Sequence, residues 1–181
     1  MVDFMNCSRC ARKAVIYLPY MSQHLCKEHF IKVYEKRLKL ELTKRGINKK
    51  TKVNVKEDSF LENAIVKHYL KKYYYKMSNE ENSILLDASN IECSLKDYLK
   101  AFITGQAYEN KNVLSRFYAR ENELYAELEG ITYKRKKNCV NTEMEGYIMQ
   151  MLEDIEKNQP GAKFKLLSSF EKIRAANYSS S

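Results

Sequence analysis

Cys7 and Cys10 are separated by two residues, and so are Cys26 and His29; 15 residues lie between the two pairs. Each close pair can grip one cation from a tight turn. Three thiolates and one imidazole in this spacing point to a closed, tetrahedral zinc site with a structural role. The intervening "AVIYL" (14–18) can form the hairpin that brings the pairs together. His24 is a spare ligand candidate that lacks the two-residue spacing and reads as a surface residue.

The charge pattern adds a second chemistry. The chain has 181 residues and a net charge of +9, but residues 1–76 hold 18 Lys/Arg against 7 Asp/Glu. A basic front half favours a polyanionic partner, nucleic acid above all. Lys32, Lys36 and Lys39 fall on one side of a helix, and Lys134, Arg135 and Lys136 form a second cluster in "TYKRKKN". "KHYLKKYYYKM" (67–77) interleaves tyrosines with lysines, a composition suited to base stacking and phosphate contact. Solvated charge on a helical surface is the plainer explanation of each cluster taken singly.

The elements that position these residues are mostly helical, since five Gly and two Pro leave few breakers. Phe30, Tyr34, Leu38 and Leu42 recur every four residues, and Gly46 follows as a stop, so residues 28–45 read as one helix. "TKVNV" (51–55), "SILLD" (83–87) and "NVLSRF" (112–117) read as strands. Helices are expected from Asp58 to about Met77, and over 94–105, 120–131 and 141–158, with a last one after "QPG". Strands alternating with helices imply an α/β fold with a reduced parallel sheet. The organisation expected is a zinc finger over 1–30, a basic connecting helix over 31–50 and an α/β domain over 51–176. No apolar run approaches the roughly 20 residues that a membrane span needs. The opening "MVDFMNCSRC" carries no apolar signal region, so the expected setting is the cytoplasm with reduced thiols.

"CSRCARKAVIYLPYMSQHLCKEHFIKVYEKRLK" resembles the N-terminal zinc finger of the archaeal and eukaryotic tRNA-thiolating enzymes. These are the ATP-pyrophosphatase-type 2-thiouridine synthetases that modify the wobble uridine. Further segments resemble the family in order: 52–70, 87–105, 117–139 and 151–173, the last including "PG". The resemblance implies a Rossmann-like PP-loop domain, with tRNA and a full-length paralogue or a second copy of the chain as partners.

The departures are as informative. Where the family has a glycine-rich SGGKDS loop, this chain has "VKEDS" with no glycine. Cradling pyrophosphate takes glycines, so that backbone N–H groups can approach the anion at a helix N-terminus. Lys56, Asp58 and Ser59 resemble remnants of that motif, and Asp58 or Ser59 also reads as a plain helix cap. Asn90 matches the family's second acidic segment, Glu92 keeps an acid near its first aspartate, and Cys93 replaces an acid. Cys139 matches one cysteine of the family's three-cysteine iron–sulfur site, while the central CxxC is missing. The expectation is a degenerate relative with no catalytic residues of its own. The alternatives are an ATP-dependent sulfurtransferase with an altered loop, and an interaction subunit of a complete thiolation enzyme.

Overall fold

A computed structural model describes residues 5–56, 60–106, 108, 112–134 and 140–178, with side chains to residue 173. The chain opens with a hairpin of β1 (Ile16–Leu18) and β2 (Gln23–Leu25), turned by a short 3-10 segment at Pro19–Met21. Helix α1 (Lys27–Lys44) follows without a break. Next come β3 (Val53–Val55), α2 (Leu61–Lys72), β4 (Ile84–Leu86), α3 (Ile91–Thr104), α4 (Ala119–Glu129), α5 (Glu143–Asn158) and α6 (Ala162–Tyr178). None of the described helices is long and apolar enough to cross a membrane.

The α/β expectation holds, and the sheet is smaller than the sequence suggested. β3 and β4 pair in parallel, with Val53 opposite Ile84 and Val55 opposite Leu86. Single parallel bridges, Val53 to Met77 and Asp87 to Asn112, extend the ladder on either side. The strand expected at 112–117 is a correction: after Asn112 the chain turns, with Ser115 N–H on Asn112 O and Phe117 N–H on Leu114 O. Val113, Leu114 and Phe117 are fully buried there, so the apolar run reports burial without extension. The helix expected to reach Met77 is also shorter. It stops at Tyr73, and Tyr74 takes a left-handed φ of 57°. Residues beyond leave the helix because they reach the sheet edge, where Val53 N–H donates to Lys76 O and Ser78 N–H to Val53 O.

Among the described residues two apolar cores form. The first joins the hairpin, α1, the sheet, α2 and α4, with Phe30, Tyr34, Leu38 and Leu42 all inside as their four-residue period requires. The second lies among α3, α5 and α6 around Leu95, Ile148, Leu152 and Leu167. Tyr20, at the tip of the hairpin, packs against both. Gly161 lets α6 approach that tip: its φ is 88°, and a Cβ there would stand 3.3 Å from Tyr20 Cβ. Arg37 ties the junction, donating to Glu121 at 2.9 Å and to the Tyr20 hydroxyl, with its guanidinium 4.4 Å from the Phe117 ring centre.

The second core is pinned by a buried ion pair. Lys163 Nζ, on a side chain only 1% exposed, lies 3.1 Å from Glu92 Oε1 and also meets Glu153. Burial pushes the Glu92 carboxyl up, partly offset by Lys163 and by the Ala119 N–H at 3.1 Å. Lys163→Met should therefore cost about 3–5 kcal/mol at neutral pH, the scale for stranding one member of a buried pair. The deficit should shrink as the pH falls. A carboxyl whose folded value is raised binds its proton in the fold first, so it favours folding at acidic pH and loses that contribution as the pH rises through the folded value. Urea melts of both proteins at two pH values check this.

Candidate functional site

The four ligand candidates converge. Cys7 Sγ and Cys26 Sγ each lie 3.4 Å from His29 Nδ1, and Cys10 Sγ lies 3.7 Å from Cys26 Sγ. All four donor atoms sit within 4.8 Å of one another. A tetrahedral zinc, with Zn–S of about 2.3 Å and Zn–N of about 2.0–2.1 Å, sets its sulfurs about 3.8 Å apart and sulfur to nitrogen about 3.5 Å. The donor set therefore fits one mononuclear ion. A four-iron cluster places iron and sulfide between its cysteine ligands and would hold these donors much farther apart.

Local structure explains the convergence. Cys7 and Cys10 flank a turn closed by Cys10 N–H on Cys7 O. Cys26 ends the hairpin and is also the N-cap of α1, which puts His29 on the first helical turn. The finger and the basic helix are thus one continuous piece, with the second ligand pair spanning their junction. Burial resists the Cys7 thiolate, but the Cys26 and Arg9 N–H groups and the His29 ring bring it down to about 6. At Cys10 the Arg12 N–H favours the thiolate, while burial and the neighbouring Cys26 and Cys7 sulfurs push the thiol up. Sulfurs this close repel as anions and call for a cation among them. His24 lies outside the group and stacks on Tyr17. Among the described residues no second cluster of this kind occurs.

Lys56, just after β3, and Asp87 and Asn90, after β4, sit at the C-terminal edge of the parallel strands, where open α/β sheets hold ligands. Asp58 and Ser59 lie outside the described residues, as do Glu57 and Cys139. Lys56 is exposed, with Nζ 3.5 Å from Asp87 Oδ2. Asn90 caps α3, accepting the Cys93 N–H at 2.9 Å, and its amide donates to Glu62 Oε1 at 2.9 Å. Glu62 stands in the first turn of α2, where a helix N-terminus would otherwise attract a phosphate. Glu92 turns into the α3–α6 junction to meet Lys163. Cys93 is disulfide-bonded.

A cleft of about 600 Å³ adjoins this edge, lined in part by Glu92, Tyr118, Arg120, Glu156 and Lys163. Its polar groups serve the fold: Glu156 accepts from the Tyr118 hydroxyl at 2.6 Å, from Gly161 N–H at 2.7 Å and from Lys163 N–H at 3.0 Å. Sequence reasoning missed Lys163 and Glu62, because neither carries a local signal of its distant partner.

The basic candidates divide. Lys32, Lys36 and Lys39 lie on α1, and all three are exposed. Lys134 is exposed beside the start of α2, through the Phe60–Lys134 bridge, while Arg135 and Lys136 lie outside the described residues. In "KHYLKKYYYKM", Tyr69 is buried and Tyr73 bonds Glu35, whereas Tyr74 is 86% exposed.

Residues 6–31 match the family described as the N-terminal LIM domain of the 2-thiouridine synthetase TtuA. No curated protein matches the chain. Among solved structures, the U34-tRNA thiolase NcsA from Methanococcus maripaludis, determined with its 4Fe–4S cluster, aligns with a TM-score of 0.74 at 12% identity. The alignment covers 96% of this chain and 88% of that one. The chain thus joins an N-terminal domain of the TtuA type to the fold seen in a U34-tRNA thiolase.

Proposed function

We propose that this protein is a zinc-binding, catalytically degenerate relative of the tRNA 2-thiolation enzymes that binds tRNA or a related RNA without activating it. The observation that carries the reading is the contrast between two sites. The finger keeps a complete and tightly grouped ligand set. The sheet edge, by contrast, has a glycine-free turn, a carboxylate at the start of α2, and an Asn90 side chain committed at both ends to the fold.

Zinc is the ion favoured by the donor spacing and by three sulfurs with one nitrogen. The similar thiolase was determined with a 4Fe–4S cluster, and the four donors gathered here are too close for one. RNA is favoured by the basic front half and by the lysines along α1.

Binding of unmodified tRNA, followed by gel shift and fluorescence titration, tests the reading. Micromolar affinity is expected at about 50 mM salt and should fall steeply as salt rises, through counterion release. Reversing charge at Lys32, Lys36 and Lys39 together should weaken binding and flatten the salt dependence. No shift at micromolar protein in low salt would favour an interaction subunit whose partner is another protein.

A further inference from the structure

The hairpin exposes an aromatic pair that the metal site and the cores leave unused. Tyr17 on β1 stands opposite His24 on β2, and their rings stack with centroids 4.4 Å apart at 27°. Their neighbours Leu18 and Leu25 are sealed in the first core, while Tyr17 is 44% exposed and Val15 beside it 45%. Strand alternation explains the split, with inward leucines and an outward aromatic pair.

The pair is held rigidly from the metal side. Ser8, inside the Cys7–Cys10 turn, engages His24 twice: Ser8 N–H donates to His24 O at 2.7 Å, and Ser8 Oγ accepts the His24 N–H at 2.9 Å. The next residue, Arg9, is exposed, and its guanidinium reaches Gln23, the neighbour of His24 on β2. Its Nε and Nη2 rest on Gln23 Oε1 at 3.2 and 2.9 Å, which occupies only part of its donor fork.

We propose that the outward face of this hairpin is a platform on which Tyr17, backed by His24, stacks one unpaired base of a single-stranded RNA segment, with Arg9 reaching the adjoining phosphate. The inference rests on the RNA-binding reading above and adds the contact surface and the strand state. An exposed aromatic ring on a basic surface is what single-strand recognition uses. Because the metal-bearing turn fixes His24, the platform is pre-organised before RNA arrives, which lowers the ordering cost of binding.

The chain contains no tryptophan, so Tyr17→Trp introduces a unique reporter. The probes are an eight-nucleotide oligouridine and a blunt RNA duplex. Oligouridine should quench the emission of the Tyr17→Trp variant saturably, and the duplex much less. Tyr17→Ala should bind oligouridine at least about fivefold more weakly, the lower end of the stacking scale. Its salt slope should be unchanged, since no phosphate contact is removed. Tyr17→Phe should bind like the wild type. Metal content and melting temperature of each variant separate loss of the platform from loss of the finger. Wild-type binding with an equally tight Tyr17→Ala variant, or unquenched emission from the Tyr17→Trp variant at saturation, overturns the platform and leaves the RNA reading standing. Absence of any RNA binding by the wild type overturns both.

Discussion

Cys26→Ala protein should be recovered without metal, against one zinc per chain in the wild type, and its N-terminal third should lose most of its protection from hydrogen exchange. Cys26 does three jobs at once. It supplies a ligand, it ends the hairpin, and its carbonyl accepts the Phe30 N–H at 2.9 Å as α1 begins. Structural zinc contributes an apparent binding free energy of about 10–16 kcal/mol at neutral pH. That matches or exceeds the whole net stability of an ordinary domain, about 5–15 kcal/mol. On the zinc assignment proposed above, the finger should be far less stable without its metal. Leu18, Leu25 and Phe30 belong to the same core as α1 and the sheet, so the loosening should spread into α1. Elemental analysis and exchange mapped by mass spectrometry give the readout. Iron with acid-labile sulfide in the wild type, or no metal after careful purification, would refute the zinc assignment.

No thiouridine should form when the protein alone is given ATP, sulfide and unmodified tRNA. Adenylating a uridine carbonyl requires pyrophosphate held by backbone donors and a leaving group stabilised by fixed charge. The turn after β3 has no glycine to let the backbone approach, and the α2 N-terminus already faces Glu62, itself bonded to Asn90. Removal of one oxyanion-type donor costs on the order of 10²–10³ in rate, so loss of the whole cradle should leave nothing measurable. Mass spectrometry of digested tRNA reads the result. Thiouridine made by this protein alone would overturn the degenerate reading. Stimulation of a complete thiolase by the added protein would assign it an accessory role.

What the sequence by itself determined is local. The 2–15–2 ligand spacing located the metal site, because close pairs of donors on tight turns need only one hairpin to meet. The four-residue apolar period located α1 and its buried face. Gly105 and Gly130 marked the ends of α3 and α4, where the chain takes φ of 67° and 66°. Each of these signals acts within one or two turns of the chain, so composition and spacing suffice to read it.

Tertiary structure decided the rest. The run at 112–117 is as apolar as a strand, yet it turns inside the core, since burial and extension leave the same mark on composition. The tyrosines of 69–75 take different settings, with Tyr69 buried, Tyr73 bonded and Tyr74 exposed, because Lys76 and Met77 must leave the helix to reach the sheet edge. Glu92 reads as an acid near an active-site position, but Lys163, 71 residues on, draws it into the α3–α6 junction. Glu35 is held likewise by Tyr125, 90 residues away, at 2.9 Å. A charged side chain can be buried only where a distant partner compensates its desolvation. That pairing is set by how helices pack, so the partners' identities stay invisible until the fold brings them together.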